Sequence, residues 1–160
     1  MNGHIARRAA ASATAALGLL ALAGPVMASP DGPTGPPGGC ADTVNVILGG
    51  PGDDVLNGTP LNDLILGGGG DDRINGRGGH DTIRGGAGDD KVLGGRGNDC
   101  LFGNAGRDTV NGNEGRDDVR GNAGADHVGG GPGSDNVHGG PGFDTLVTSP
   151  VGDNVVSVEN

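Results

Sequence analysis

A unit of nine residues repeats eleven times between Gly49 and Val147 without an insertion or deletion, and this fixed period limits the possible folds more than any other feature of the chain. Each copy reads approximately G-G-x-G-x-D-x-U-x, where U is an aliphatic residue. A short fixed period is typical of architectures in which each unit packs only against its neighbours. The sequence therefore predicts a solenoid.

Three positions of the unit hold the same residue or the same class of residue in every copy. Position 6 is aspartate, position 8 is aliphatic and position 1 is glycine in all eleven copies. The second copy, 58–66, departs furthest from the pattern, since Thr59 stands at position 2 and Leu61 replaces the glycine of position 4. The position-6 aspartates are Asp54, Asp63, Asp72, Asp81, Asp90, Asp99, Asp108, Asp117, Asp126, Asp135 and Asp144.

The two halves of the unit predict different backbone conformations. Glycine and, less readily, asparagine accept the positive φ of a sharp turn, which fits Asn104, Asn113 and Asn122 at position 2. The D-x-U-x half alternates polar and aliphatic residues, as a half-buried strand does. Two successive copies would then form one coil, with the aliphatic residues facing inward and the glycine turns stacked along two edges.

The unit resembles the RTX calcium-binding nonapeptide, and the resemblance covers residues 49–147 and more degenerate flanks. It implies an all-β fold, a right-handed parallel β-roll (solenoid) with two repeats per coil. It also implies that Ca²⁺ binds between stacked turns, with the eleven position-6 aspartates as the expected metal ligands.

The expected stacking leads to the same cation from simple electrostatics. Alternate copies would place their aspartates in two columns, and neighbouring carboxylates about 4.8 Å apart repel each other. A hard divalent ion between coils reverses the sign, and calcium accepts many oxygen ligands with flexible geometry. We expect up to about nine ions, a folding transition that depends on calcium, and a weaker site beside Asp63. The first column is Asp54, Asp72, Asp90, Asp108, Asp126 and Asp144; the second column is Asp63, Asp81, Asp99, Asp117 and Asp135.

The regions outside the array predict an exported protein. Residues 1–28 have the pattern of a cleavable signal peptide, with Arg7 and Arg8 before an apolar run that is too short for a membrane span. The arginine pair leaves Sec and twin-arginine export both open. We expect a Pro/Gly-rich spacer over 29–44, the roll over 45–156 with degenerate capping repeats, and a tail over 157–160. The predicted location is secreted and extracellular, with no membrane span after cleavage.

The net charge of the chain indicates which binding partners to expect. The whole chain has a formal net charge of −10, so nucleic acid is not an expected partner and calcium ions are.

A disulfide between Cys40 and Cys100 is chemically permitted in an exported chain. Their predicted separation along the roll, about 14 Å, disfavours the bond unless the spacer folds back. Cys100, at an outward position, is expected to be an exposed or partly shielded thiol.

No other group of residues in the sequence predicts catalysis. His80, His127 and His138 fall at three different positions of the unit, so we expect them to be solvated rather than gathered in one site. Zinc-protease and nucleophile-elbow motifs are absent from the sequence. The leading interpretation is a secreted, non-enzymatic calcium-binding protein. A cell-surface or matrix adhesion module with an unidentified protein partner, and an accessory chain of a secreted hydrolase or toxin, are the alternatives.

Overall fold

The computed structural model describes residues 45–147 and 152–158, and all the regular structure in these ranges is β-strand. The strands are β1 (Asn45–Leu48), β2 (Val55–Asn57), β3 (Asp63–Gly69), β4 (Arg73–Gly78), β5 (Thr82–Ala87), β6 (Lys91–Arg96), β7 (Cys100–Ala105), β8 (Thr109–Glu114), β9 (Asp118–Ala123), β10 (His127–Gly129), β11 (Asn136–Pro141), β12 (Thr145–Val147) and β13 (Asn154–Val158).

The strands alternate between two parallel sheets. Odd-numbered strands form a seven-stranded sheet and even-numbered strands form a six-stranded sheet, each in sequence order. Neighbouring strands are offset by two repeats, so that Ile65 lies opposite Ile83 and Ile74 lies opposite Val92. The chain is therefore a parallel β-roll of about six turns with two repeats per coil, which confirms the predicted fold class.

The core consists of the aliphatic residues at position 8. Nine of them are at most 2% exposed, and they pack in one continuous cluster between the two sheets. Ile47, Leu56 and Leu146, near the ends of the roll, are only partly buried against this cluster. The buried members are Ile65, Ile74, Ile83, Val92, Leu101, Val110, Val119, Val128 and Val137.

The strands cover a different part of the unit from the part that the sequence indicated. In the regular copies they run from position 7 to position 3 of the next copy, as in β4, so the position-6 aspartate precedes the strand and most of the glycine half belongs to it. Glycine pairs across coils, with Gly68 opposite Gly86, because backbone pairing does not require a side chain.

Positive φ occurs at positions 2 and 4, as glycine and asparagine there predicted. Asn104, Asn113 and Asn122 have φ of 84°, 72° and 73°. Arg77 occupies position 2 with φ of 76°, a conformation that L residues with long side chains rarely adopt. The fold therefore imposes the left-handed backbone even where the sequence does not favour it.

The flanking segments continue the roll in register. β1 pairs with β3, placing Asn45 opposite Asp63, and β13 pairs with β11, placing Val155 opposite Val137. In the described ranges there is no apolar helix of membrane-spanning length. The predicted signal peptide, the spacer and residues 159–160 of the tail lie outside the described residues, so their boundaries stay predictions.

Cys100 corrects one expectation from the sequence. It is 3% exposed and disulfide-bonded, not a free thiol. The sequence contains one other cysteine, Cys40, which lies outside the described residues. The predicted separation assumed that Cys40 is in line with the coils, but Cys40 is five positions before Asn45, and five extended Cα–Cα steps span up to about 17 Å.

Candidate metal centre

The position-6 aspartates lie along the two edges of the roll, immediately before the strands, in the two predicted columns. Nine of them, from Asp63 to Asp135, are at most 2% exposed, whereas Asp54 and Asp144 at the ends of the first column are half-buried. A fully buried carboxylate is rare unless it is paired or bound to a metal. These nine aspartates are therefore not solvated surface residues.

In the nine column aspartates from Asp72 to Asp144, one carboxylate oxygen is fixed by the backbone of the preceding coil. The N–H of Asp72 donates to Oδ1 of Asp90 at 2.8 Å, and the N–H of Asp81 donates to Oδ1 of Asp99 at 2.8 Å. The same bond recurs along both columns, from Asp54 onward, at 2.8–3.2 Å. These bonds set the side-chain orientation, because they hold the carboxylates from Asp72 onward in the same pose relative to the preceding coil.

The second oxygen has no protein partner over most of the array. Oδ2 is buried and without a hydrogen bond in Asp72, Asp81, Asp90, Asp99, Asp108, Asp117, Asp126, Asp135 and Asp144. An unsatisfied buried polar atom carries a desolvation penalty of about 1–3 kcal/mol, and more if it is charged. Repetition of the same unpaired atom in successive copies indicates a ligand position, not an isolated packing defect.

The first two aspartates of the array differ from the rest. Oδ2 of Asp54 accepts the N–H of Gly50 at 2.6 Å, and Oδ2 of Asp63 accepts the N–H of Thr59 at 2.6 Å. The Thr59 hydroxyl also donates to Oδ2 of Asp63, at 3.1 Å. The atypical second repeat therefore uses its own residues to satisfy a carboxylate that is left open in later coils.

At six of the nine open aspartates, a backbone carbonyl of the next coil lies close to the position-1 glycine together with the open oxygen. A Cβ atom added to Gly67 would lie within 3 Å of both Asp72 Oδ2 and the carbonyl oxygen of Gly85. The same cradle occurs at Gly94, between Asp99 Oδ2 and the carbonyl of Gly112. Because a side chain would fill this space, glycine at position 1 keeps two oxygen atoms facing a common point.

Burial raises the pKa of the aspartates in the middle of both columns. The pKa of Asp81 is raised to about 6, and the pKa values of Asp99, Asp108 and Asp117 are raised to about 7. Loss of hydration is the main cause, the backbone hydrogen bond opposes it, and neighbouring carboxylates add to it. The pKa is raised for the same main reason in Asp90, Asp126 and Asp135.

The donor set fits a hard cation. Among the described residues, no three His, Cys, Asp or Glu side chains converge on one point, so a site has to combine carboxylate with backbone oxygen. Calcium accepts such mixtures of carboxylate and carbonyl ligands, whereas zinc prefers nitrogen and sulfur. The unpaired Oδ2 atoms and the glycine cradles are thus compatible with the calcium sites that the sequence predicted.

The histidines do not take part in a common centre. Nδ1 of His80 accepts the N–H of Asn98 at 2.7 Å on one edge, while His127 and His138 begin or lie within strands of opposite sheets. The sequence predicted that the three histidines do not share a site, but it did not predict the hydrogen bond that joins His80 to the next coil. Only its position 5, next to Asp81, could have indicated this role.

Comparison with known families agrees with this geometry. The family model described as RTX calcium-binding nonapeptide repeat matches four stretches of the chain, residues 41–60, 48–83, 76–110 and 111–146. Neither the comparison with curated proteins nor the comparison with solved structures gave a significant match.

Proposed function

The chain belongs to the RTX calcium-binding nonapeptide repeat family, and from this premise we propose that it is a secreted, non-enzymatic protein that binds several Ca²⁺ ions along its two aspartate columns. The observation that carries the proposal is the repeated unpaired Oδ2 of a buried aspartate. The residues proposed as ligands are the position-6 aspartates, with position-1 glycine carbonyls completing each set.

The pose of each aspartate supports this assignment. From Asp72 onward, Oδ1 accepts a backbone N–H of the preceding coil, whereas Oδ2 has no protein partner, and Oδ2 of Asp72 faces the same cradle as the carbonyl of Gly85. When bound, calcium supplies positive charge to carboxylates that are otherwise buried without a counterion. Asp54 and Asp63 are proposed as weaker ligands, because backbone or hydroxyl groups already occupy their Oδ2 atoms.

Metal binding is proposed to stabilise the folded roll. Each of the strands β1 to β12 contributes one aliphatic residue to the hydrophobic core. The ionised form of the buried carboxylates is unfavourable, because burial raises their pKa, as in Asp99. A ligand that binds only the folded state adds its binding free energy to folding. The physiological consequence is a protein that gains stability on reaching calcium-rich extracellular medium.

The proposed location and the absence of catalysis rest on separate arguments. RTX repeats are typical of secreted proteins, and residues 1–28 have the pattern of a signal peptide. The β-solenoid of this family is a calcium-binding module, and the buried aspartates face backbone groups and not an open cleft. Adhesion and a role as an accessory chain would both use the same calcium-stabilised roll.

Calorimetric titration of the chelator-treated protein with CaCl₂ tests this function, with MgCl₂ as the control. We expect several calcium ions to bind per chain and magnesium to bind much more weakly, because magnesium demands near-ideal octahedral geometry. A triple variant, Asp81→Asn, Asp99→Asn and Asp117→Asn, should lose part of the calcium stoichiometry while keeping the Oδ1 hydrogen bonds. Absence of calcium binding to the wild-type protein would refute the proposal.

A further inference from the structure

A row of outward-facing side chains at position 9 crosses the seven-stranded sheet. Its central members are Arg84 on β5, Phe102 on β7 and Arg120 on β9, which are paired across neighbouring strands. Leu66 on β3 and Leu48 on β1 continue the row toward the first coil. Because neighbouring strands are about 4.8 Å apart, these five side chains form one continuous surface, which we call the position-9 row.

Both arginines of the row contact the ring of Phe102. The guanidinium carbon of Arg84 is 5.2 Å from the ring centroid, and that of Arg120 is 5.7 Å from it. A cation within about 6 Å of the centroid is attracted by the ring. Stacking on an aromatic ring uses the face of the guanidinium, so the N–H groups along its edges stay available for hydrogen bonds.

Arg120 uses these edge donors to bind a carboxylate. Its Nε donates to Oδ1 of Asp118 at 2.9 Å, and its Nη2 donates to Oδ2 of Asp118 at 2.9 Å. Asp118 lies two residues earlier on the same strand, at position 7. A guanidinium of the position-9 row can therefore contact Phe102 and hold a carboxylate in bidentate geometry at the same time.

Arg84 has the same ring contact without the carboxylate. Thr82 occupies on β5 the position that Asp118 occupies on β9. Among the described residues, no carboxylate lies within 4.0 Å of the guanidinium nitrogens of Arg84, and its side chain makes no hydrogen bond. Arg84 is also exposed. Its N–H donors are therefore open to a carboxylate from another molecule.

Apolar side chains lie beside Arg84 on the N-terminal side of the row. Leu66 is on the adjacent strand and is half-buried, and Leu48 on the strand beyond is 65% exposed. Val46, on the same strand as Leu48, is 59% exposed. A ligand at this surface thus meets a charged donor and an apolar area within about 10 Å of each other.

We propose that the position-9 row is a docking surface for an acidic segment of a partner protein, in which one carboxylate binds Arg84 and neighbouring aliphatic side chains cover Leu66 and Leu48. Charge complementarity carries this assignment, because the planar fork of a guanidinium matches a carboxylate. Phe102 orders Arg84 before the partner arrives, which lowers the entropy cost of binding. The inference goes beyond calcium binding, since no member of the row belongs to an aspartate column.

Substitutions at position 7 test the inference without removing Arg84. Thr82→Asp places a carboxylate beside Arg84 as Asp118 does beside Arg120, so it should occupy the site from within the chain. Thr82→Asn is the uncharged control. Asp118→Asn makes the reverse change, because it releases the donors of Arg120. Circular dichroism of each calcium-loaded variant checks that the fold is retained.

NMR signals of the arginine Nε–H groups in the calcium-loaded, disulfide-bonded protein measure binding at each site. The probe is the peptide acetyl-Glu-Leu-Leu-amide, with acetyl-Gln-Leu-Leu-amide as its uncharged control. We expect the glutamate peptide to shift the Arg84 signal of the wild-type protein. Thr82→Asp should weaken this binding by about tenfold or more, whereas Thr82→Asn should change it little. Asp118→Asn should add a second site, reported by the Arg120 signal.

Several results would overturn the inference. They are an Arg84 signal that the glutamate peptide does not shift, an equal response to the glutamine peptide, and an affinity that Thr82→Asp does not change. Equal binding of sodium glucuronate would mean that the surface takes any carboxylate and does not select a peptide. Asp42 lies outside the described residues, and peptide binding that appears only in Asp42→Asn would assign the Arg84 site to this chain's own N-terminal segment.

Discussion

The backbone N–H of Asp99 donates to Oδ1 of Asp117 at 2.8 Å, one full coil along the second column, while Oδ2 of Asp117 is buried without a partner. One carboxylate is thus both a structural acceptor and an open ligand. Since the two roles use different oxygen atoms, substitutions can separate them.

Asp99→Asn should have opposite effects on the metal-free and the calcium-bound protein. Asparagine keeps an Oδ1 acceptor for the N–H of Asp81 but removes a buried charge whose pKa is raised to about 7. At pH 8 we expect the metal-free roll to gain about 1–3 kcal/mol in free energy of unfolding. Calcium affinity should fall by about tenfold or more at the adjacent gaps.

Urea unfolding in chelator and calorimetric titration measure these two effects. Asp118→Asn is the matched control, because Asp118 lies at the start of a strand and pairs with Arg120 at 2.9 Å outside both columns. It should change either quantity little, as partly exposed ion pairs contribute at most about 1 kcal/mol. A loss of metal-free stability in Asp99→Asn would contradict the account.

Acid should stabilise the metal-free roll. The folded pKa of Asp99, Asp108 and Asp117 is raised to about 7, against about 3.9 in an unfolded chain. Between these values the folded state binds more protons than the unfolded state, so stability is greatest below about pH 4 and is lost as the pH rises through about 7. Unfolding in chelator at pH 5 and pH 8 should show the higher stability at pH 5.

The calcium-loaded protein should show the reverse trend, because protons compete with the ion for the same carboxylates. Calcium affinity measured at pH 8 should exceed the affinity at pH 5. Metal-free stability that increases from pH 5 to pH 8 would mean that these carboxylates are not held in the strained, dehydrated state described here.

Gly67→Ala should close one cradle. Its Cβ would lie within 3 Å of Asp72 Oδ2 and the Gly85 carbonyl, so we expect a loss of at least about 2 kcal/mol in stability and the loss of the ion at that gap. Gly69→Ala is the control two residues away, since its Cβ would meet no atom closer than 3.8 Å. Equal behaviour of the two variants, in calcium titration and urea unfolding, would argue against the cradle.

Arg77→Asn should stabilise the calcium-loaded roll. Arg77 has φ of 76°, and asparagine occupies the equivalent position at Asn104 and Asn113. Relief of the left-handed conformation is expected to add about 1 kcal/mol to the free energy of unfolding. Arg77→Ala removes the same charge but lacks the short polar side chain with which asparagine tolerates this conformation, so a gain of the same size in that variant would assign the effect to charge instead.

Loss of the disulfide at Cys100 should destabilise the roll. If Cys40 is the partner, the closed loop contains about 60 residues, and opening it should cost about 4 kcal/mol through the entropy of the unfolded chain. Cys40→Ser, Cys100→Ser and reduction of the wild-type protein should each produce a similar loss in urea unfolding at fixed calcium. An unchanged stability in Cys40→Ser would contradict intramolecular pairing.

The sequence was sufficient to predict the roll, its register and the two aspartate columns, because each depends only on the fixed nine-residue period. The period assigns Ile83 and Val119 to position 8, the aliphatic position that faces the core in every coil. The hydrogen bond from Asp72 to Asp90 was not predictable in the same way, since it depends on the rotation of adjacent coils. Sequence reasoning therefore described the columns as purely repulsive and missed the bond that orients them.

Two other features depended on three-dimensional detail. The strand boundaries lie further into the glycine half than expected, because parallel pairing continues through Gly68 and Gly86. The disulfide at Cys100 depends on how the preceding segment is placed, which a repeat period does not specify. The Thr59 hydroxyl that donates to Asp63 belongs to the atypical second repeat, where the sequence predicts a weaker site, and that weakness stays a prediction.

The most direct test of the account is anomalous diffraction from crystals of the protein grown in calcium. We predict calcium peaks in the gaps between successive coils on both edges, each contacted by Oδ2 of a buried column aspartate and by a position-1 glycine carbonyl. A calcium-soaked structure with the same roll but no ion at these Oδ2 atoms would contradict the central claim.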